Sequence, residues 1–298
     1  MTHQKTLEAK VLAVFEEKVQ PSTLIKADDY FLALSSEASF SPGKGCGQKK
    51  LVSSKGDVSF FTKNVNSFSG LFFIDGITYA LSSDYRCIVT SDGAVAGEFP
   101  CEAYGNSSSV ICFDFAKKLF IGFEKEHKRK MIASDGSVIY ELPFMARDVL
   151  NEKGRYIFNE SETNFIYSLP KNRVMRSLKG VKKVGEFLYF PGGPLTKMGN
   201  KYAALSYAGD LVMTSDGEYV ASFGSNVSAG SVVKIRDVFF GISQKDSDVV
   251  VTNSFAFERG IAGIFPEKVY EYNVLADGSS IIAIGHDCKT LFKMDVNQ

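Results

Sequence analysis

Short stretches of alternating apolar and polar residues, each closed by a turn-forming pair, recur along the whole chain. Three are nearly alike: CIVTSDGAVAGEFP (87–100), MIASDGSVIYELP (131–143) and LVMTSDGEYVASFG (211–224). Alternation with a period of two marks a half-buried strand. Asp-Gly between two such runs predicts a hairpin whose two central residues both accept positive φ. Weaker copies fill the gaps: LVSSKGDVSFF (51–61) turns at Lys55-Gly56, FIYSLPKNRVMRSL (165–178) at Lys171-Asn172, and VVVTNSFAFERG (249–260) at Asn253-Ser254. Gly and Asn tolerate left-handed geometry, so the turn chemistry survives the drift in sequence. The second turn residues stand at 56, 93, 136, 172, 217 and 254, intervals of 36 to 45 residues. A repeat of that length holds about four short strands with tight connections.

One unit reads strand by strand as 70–74, a turn at Asp75-Gly76, then 77–82, 86–90 and 94–99; the next repeats it at 109–114, 118–123, 129–133 and 137–142. The first strand of each is almost wholly apolar, as in Leu71, Phe72, Phe73 and Ile74, which predicts burial on both faces. The last unit, VYEYNVLADGSSIIAIGHDCKTLFKMD (269–295), supplies three strands only, while KVLAVF (10–15) matches the fourth-strand segment EYVASF (218–223). The N-terminal strand is therefore expected to complete the last unit and close a ring, which removes exposed sheet edges.

Four-stranded units in this number, with a strand exchanged between the termini, resemble the seven-bladed β-propeller repeat proteins. The resemblance implies an all-β chain forming a single propeller domain over residues 1–298, with antiparallel four-stranded blades and six blades as the fallback count. It is a likeness of fold. The chain has no Trp, so the Trp-Asp strand end of the best-known repeat family is missing. The kelch glycine pair and the sialidase-type Asp box are missing too, so no family's functional residues transfer.

Composition narrows the setting. A hydrophobic share of 45% with 25 Phe and 13 Tyr suits strands packed face to face. Zero formal net charge removes the usual drive for sequence-independent nucleic-acid binding. The opening MTHQKTLEAKVLAVFEEK lacks a signal-peptide pattern, and no apolar run reaches the length of a membrane span. Five cysteines without paired spacing favour reduced thiols. The expectation is a cytoplasmic chain, monomeric on its own, with neither membrane nor nucleic acid as partner.

Candidate chemistry is sparse. Gly43 to Lys50 (GKGCGQKK) looks like a phosphate-binding loop, but a strand follows it and the spacing fails. His286-Asp287-Cys288 sets an imidazole, a carboxylate and a thiol side by side. Neighbours in a tight turn point apart, however, so these read as turn residues. Cys46, Cys87, Cys101, Cys112 and Cys288 contain no C-x-x-C pair for zinc. Asp246-Ser247-Asp248 lacks the remainder of a calcium loop. The recurrent Asp92, Asp135, Asp216 and Asp277 sit at hairpin turns. No catalytic residue, metal or cofactor is expected.

Propellers commonly bind through loops on one face. Here the loops joining second to third strands, and those joining one unit to the next, are expected to share a face; the largest are 36–47, 100–108 and 260–267. Aromatic and basic residues dominate interface energetics, which selects Phe40, Lys44, Tyr104, His127, Lys182 and Phe265 as candidate partner-binding residues. The sequence thus points to a non-enzymatic protein-interaction scaffold. The alternative is a sugar- or small-ligand-binding, lectin-like propeller, followed by a hydrolase or lyase. The first would repeat one polar-aromatic pocket per blade, and an enzyme would need convergent carboxylates or a metal in the channel; neither pattern is present.

Overall fold

In the computed structural model the chain folds into antiparallel sheets. The structure describes residues 6–296 apart from 37–48, 62–64, 66–69, 105–111, 115–118, 127–128, 153, 161–164, 171–181, 187–195, 199, 207, 215–218, 224 and 254–259. Among the described residues there is no α-helix, only two 3-10 turns at Pro21–Thr23 and Ala229–Ser231. No helix there is long and apolar enough to cross a membrane.

The first sheet pairs, in order, Ile25–Ala27, Tyr30–Leu34, Lys50–Ser53 and Val58–Phe60. The second pairs Phe72–Ile74, Ile77–Leu81, Cys87–Thr90 and Val95–Glu98. In the third, Leu119–Glu124, Lys130–Ala133 and Val138–Glu141 are joined by two short strands, Ala103–Tyr104 and Cys112–Asp114, which share the outer side of Leu119–Glu124. The fourth is Ala146–Glu152, Arg155–Glu160, Phe165–Pro170 and Lys182–Glu186; the fifth is Thr196–Met198, Lys201–Leu205, Leu211–Thr214 and Tyr219–Ser222. An eight-stranded sheet remains. It runs Val233–Ile235, Val238–Ile242, Val249–Thr252, Ile261–Ile264, then Leu7–Val14, Thr290–Asp295, Ser280–Ile284 and Leu275–Asp277. Its two halves meet at a single parallel contact, Leu7↔Gly263 and Glu8↔Ile264.

The expected terminal exchange is present. Leu7–Val14 pairs antiparallel with Thr290–Asp295 from Ala9↔Met294 to Val14↔Thr290, so the strand begins three residues before the expected 10–15 and ends one residue earlier. Two hairpin expectations need moving. In the fourth sheet the last strand is Lys182–Glu186, beyond the run 173–178. In the sixth it is Ile261–Ile264, beyond SFAFERG. The runs 173–178 and 254–259 themselves lie outside the described residues; alternation alone cannot say which of two neighbouring runs will pair.

Turn chemistry is also different from the expected two-residue form. At Ser53/Asp57, Thr90/Ala94 and Ala133/Ser137 the hairpin closes over three residues, and the N–H of Gly56, Gly93 or Gly136 donates to the carbonyl of Ser53, Thr90 or Ala133. Within each of these three turns only the glycine takes positive φ, at 92°, 94° and 85°. This is a type I turn followed by a left-handed glycine, and the Asp before the glycine plays another part. Asp92 accepts from the Ala94 N–H and Asp135 from the Ser137 N–H. Gly217 and Asn172 lie outside the described residues. Two-residue turns do occur, between first and second strands, where Asp28, Asp75 and Arg236 take φ of 48°, 51° and 54°.

Burial peaks in the middle strands. Ser280–Ile284 is buried throughout, and Tyr30–Leu34 and Val238–Ile242 all but their first residue. Phe72, Phe73 and Ile74, expected to be buried on both faces, are half-buried. A strand at the end of its sheet keeps one side without a neighbour, whereas a middle strand is flanked on every side. The core lies between sheets. One cluster joins Leu32 and Leu51 of the first sheet to Ala80 and Val89 of the second. Others join second to third, third to fourth, fourth to fifth and fifth to sixth. A further cluster joins Phe31, Ala33 and Val52 to Ile282, Ile284 and Leu291, so the packing returns to the first sheet.

Candidate interaction face

The segments that lead from one unit to the next share a pattern that alternation does not reveal: a large apolar residue, three others, then Val or Ala. It recurs as Phe15/Val19, Phe61/Val65, Phe99/Ala103, Leu142/Ala146, Phe223/Val227 and Phe265/Val269, and every one of these side chains is buried. Each pair pins both ends of a connection into the core; where the residues between are all described, at 16–18, 100–102, 143–145 and 266–268, the three form a short arch at the surface.

The arches are also held by backbone. The Val19 N–H donates to the Cys288 carbonyl at 2.8 Å, Ala103 to Tyr85 at 2.7 Å, and Val227 to Gly209 at 2.7 Å. These three acceptors are the left-handed residues of the turns between second and third strands, with φ of 60°, 63° and 81°. Positive φ is unfavourable for Cys and Tyr. Here it turns a carbonyl towards an N–H that would otherwise be buried without a partner, and such an orphan costs about 1–3 kcal/mol. On the other flank, the Gln20, Ser228 and Tyr270 N–H groups donate to Leu34, Ile242 and Ile284 of the following unit. Unit-to-unit connections and second-to-third-strand turns therefore lie side by side, as expected for one face.

The His286-Asp287-Cys288 turn illustrates the arrangement. Asp287 accepts from the Lys289 and Thr290 N–H groups and from the Thr290 hydroxyl at 2.8, 2.9 and 2.6 Å, which caps the turn. Desolvation opposes those bonds, but the carboxyl still sits below its ordinary value. The Cys288 thiol donates to the Tyr270 hydroxyl at 3.4 Å, and the His286 ring lies against the Tyr270 ring at 4.8 Å between centroids. The contact with Cys288, then burial, pushes the Tyr270 phenol up to about 12. Tyr272 packs on Tyr270 at 5.4 Å and is 49% exposed, and burial raises its phenol too. The imidazole thus meets a phenol ring, while the thiol bonds a hydroxyl. Among the described residues no three His, Cys, Asp or Glu side chains are grouped to hold a metal.

Between the second and third sheets the same face opens into a cleft of about 500 Å³, lined by Arg86, Cys101, Glu102, Glu124, Lys125 and Glu126. Most of its charge is already matched. Lys125 pairs with Glu102 at 3.1 Å and stands over the Tyr85 ring at 4.1 Å. Glu124, largely buried, pairs with Lys130 at 3.5 Å and accepts from its N–H at 3.3 Å. Burial, then the Glu124 charge, raises the Cys101 thiol, which stays protonated at neutral pH.

The candidate residues fall unevenly. Phe40, Lys44 and His127 lie outside the described residues, as does all but Ser36 of the loop 36–47. Tyr104 is in the short strand Ala103–Tyr104 beside the cleft, and Lys182 opens the last strand of the fourth sheet. Phe265 is 2% exposed, packed against Phe292, and so cannot anchor a partner. The segment 260–267 is correspondingly strand over Ile261–Ile264 before it reaches the arch. Arg86, Glu126 and Tyr272 were not singled out from the sequence. Aligning the Phe-x-x-x-Val spacing would have buried Phe265 and placed Cys101 and Glu102 on an arch.

No family model matches the chain, and no curated protein does. Solved structures are similar along nearly its whole length. A catalytically inactive virginiamycin B lyase from Staphylococcus aureus, with quinupristin, aligns over 97% of this chain and 99% of its own at 12% identity, TM-score 0.64. BamB from Moraxella catarrhalis aligns over 96% and 99% at 8% identity, TM-score 0.55. The Pan2 WD40 domain of Neurospora crassa aligns over 100% and 97% at 10% identity, TM-score 0.53. These likenesses and the circuit of packed sheets give the chain a β-propeller-type fold.

Proposed function

We propose that this chain is a seven-bladed, non-enzymatic propeller that docks a protein partner on the face formed by its arches and second-to-third-strand turns. The eight-stranded sheet counts as two blades that touch through one two-residue parallel contact. The observation that carries the reading is the bracing of that face. Each arch is pinned by two buried side chains, and several are bonded to neighbouring turns. A surface fixed before binding loses little conformational freedom on association. Cys101 and Cys288, neither of them in a disulfide, support a reducing compartment such as the cytoplasm. Likeness to the lyase at 12% identity supports the fold and no chemistry.

The test is affinity capture from the native cell with three variants. Shortening 36–47 to a Gly-containing turn, or Tyr272→Ala, should leave melting unchanged and abolish capture of the partner. Lys55→Glu breaks the exposed Lys55–Asp29 pair on the opposite side and should leave capture intact. Loss of the partner only in the Lys55 variant would overturn the assignment of the face.

A further inference from the structure

The cleft between the second and third sheets has a charge inventory that specifies what can enter it. Five of its lining and neighbouring charged groups are used within the protein: Lys125 with Glu102, Lys130 with Glu124, and Asp84 with the Ser82 hydroxyl and the Arg86 N–H. Two are not. The Arg86 backbone is fixed at both ends, its N–H on Asp84 and its carbonyl receiving the Phe99 N–H, yet its exposed guanidinium makes no ion pair or hydrogen bond among the described residues. Glu126, also exposed, stands on the next turn with no such partner there. The cleft therefore presents one cation from the second sheet, Arg86, which acts on the Asp84 charge without pairing directly with it, and one anion from the third, Glu126, with no direct ion pair among the described residues, in a space of about 500 Å³. That size falls in the range of built ligand sites, roughly 300–1,000 Å³.

We propose that this cleft binds an extended peptide segment of mixed charge, an acidic side chain lying on Arg86 and a neighbouring Lys or Arg on Glu126. The assignment rests on the protein-docking reading above and gives that partner its chemistry. Guanidinium is suited to carboxylate because its N–H groups form a planar fork that can bind both oxygens. A purely acidic segment would meet Glu102, Glu124 and Glu126. A purely basic one would meet Arg86 and Lys125. Only a segment carrying both signs satisfies both free groups without opposing the pairs already made. The Cys101 thiol, which also lines the cleft and is raised by burial, adds no charge to this balance.

The experiment uses three capped peptides of equal length, alternating Asp-Lys, all-Glu and all-Lys, titrated against the full chain at low salt. The Asp-Lys peptide should bind the wild type most tightly. Arg86→Glu and Glu126→Lys should each weaken it about tenfold, the scale of one charge-assisted hydrogen bond. Neither side chain makes a hydrogen bond or ion pair among the described residues and both are exposed, so both variants should melt close to the wild type. Equal binding of the three peptides, or Asp-Lys binding unchanged in Arg86→Glu, overturns the proposal. If native capture is still lost with Tyr272→Ala while the peptide series fails, the docking face stands and only its proposed chemistry falls.

Discussion

At the scale of single residues, the glycines of this chain act for two separate reasons. Gly136 has φ of 85° and open space where a Cβ would go, so its demand is conformational alone. Gly97, in the fourth strand of the second sheet, has ordinary φ, but a Cβ there would sit 2.5 Å from the Ser134 carbonyl oxygen. The Glu98 N–H donates to that same carbonyl at 2.7 Å, so the glycine lets one sheet bond to the turn of the next. Gly263 repeats the device, with a Cβ falling 2.8 Å from the Leu7 carbonyl oxygen. Gly136→Ala should cost about 1–2 kcal/mol from strain. Gly97→Ala should cost as much or more, about 1–3 kcal/mol, because backbone must move. Urea melts of the two variants compare them; a neutral Gly97→Ala would mean that the two sheets are not held at this distance.

At the scale of elements, the hairpins were legible because strand alternation and turn residues are local signals. The strands expected at 77–82, 86–90 and 94–99, and at 118–123, 129–133 and 137–142, match observed strands within one residue at each end, while Ala103–Tyr104 in the third sheet was not expected. Reading failed where the signal was not local. The runs 173–178 and 255–260 alternate like strands, and nothing within them says that a later run pairs instead. Phe265 lies between Ile264 and Pro266 in a segment, 260–267, that the sequence marks as a connecting loop. Its place is set by a spacing of four shared with Phe15, Phe61, Phe99 and Phe223, which here spans a connection between strands and so lies outside the strand alternation. Phe265→Ala should accordingly lower stability by about 3–5 kcal/mol, the cost of emptying a buried aromatic site. The charged cleft was illegible for a related reason, since Arg86 and Glu126 are brought together by sheet-to-sheet packing between different units. A Phe265→Ala chain that melted normally yet lost its partner would return the residue to the binding surface.

At the scale of the molecule, the strand Leu7–Val14 bears on everything else, since it pairs with Thr290–Asp295 and touches Ile261–Ile264. Its seam is tied by Asp295, which pairs with Lys293 at 2.9 Å and Lys10 at 3.1 Å and accepts from the Ser280 hydroxyl at 2.7 Å. The bonds to Lys293, then Ser280, then Lys10 hold its carboxyl well below the usual 3.8. A carboxyl lowered on folding stabilises above its unfolded value, and that contribution is lost as pH falls below it. Asp295→Asn should therefore destabilise the chain at pH 7, and the gap to wild type should close as pH drops below about 4. Partial exposure keeps the effect within about 1 kcal/mol. A gap that did not change with pH would show that the seam is not tied by this charge. Removing residues 1–14 should have a far larger effect, baring the edge of Thr290–Asp295 and producing aggregation visible by light scattering.

That seam also sets an order of events during synthesis. Ala9 leaves the ribosome long before its partner Met294, which lies far along the chain. Until that partner emerges, the early strand has no mate, and the first sheet lacks the neighbour that covers Phe31 and Val52. The last contact to form is thus also the one of greatest sequence separation, which makes closure the slow step. A nascent or prematurely ended chain carries an unclosed sheet edge for as long as that wait lasts, and such an edge is open to pairing with other chains.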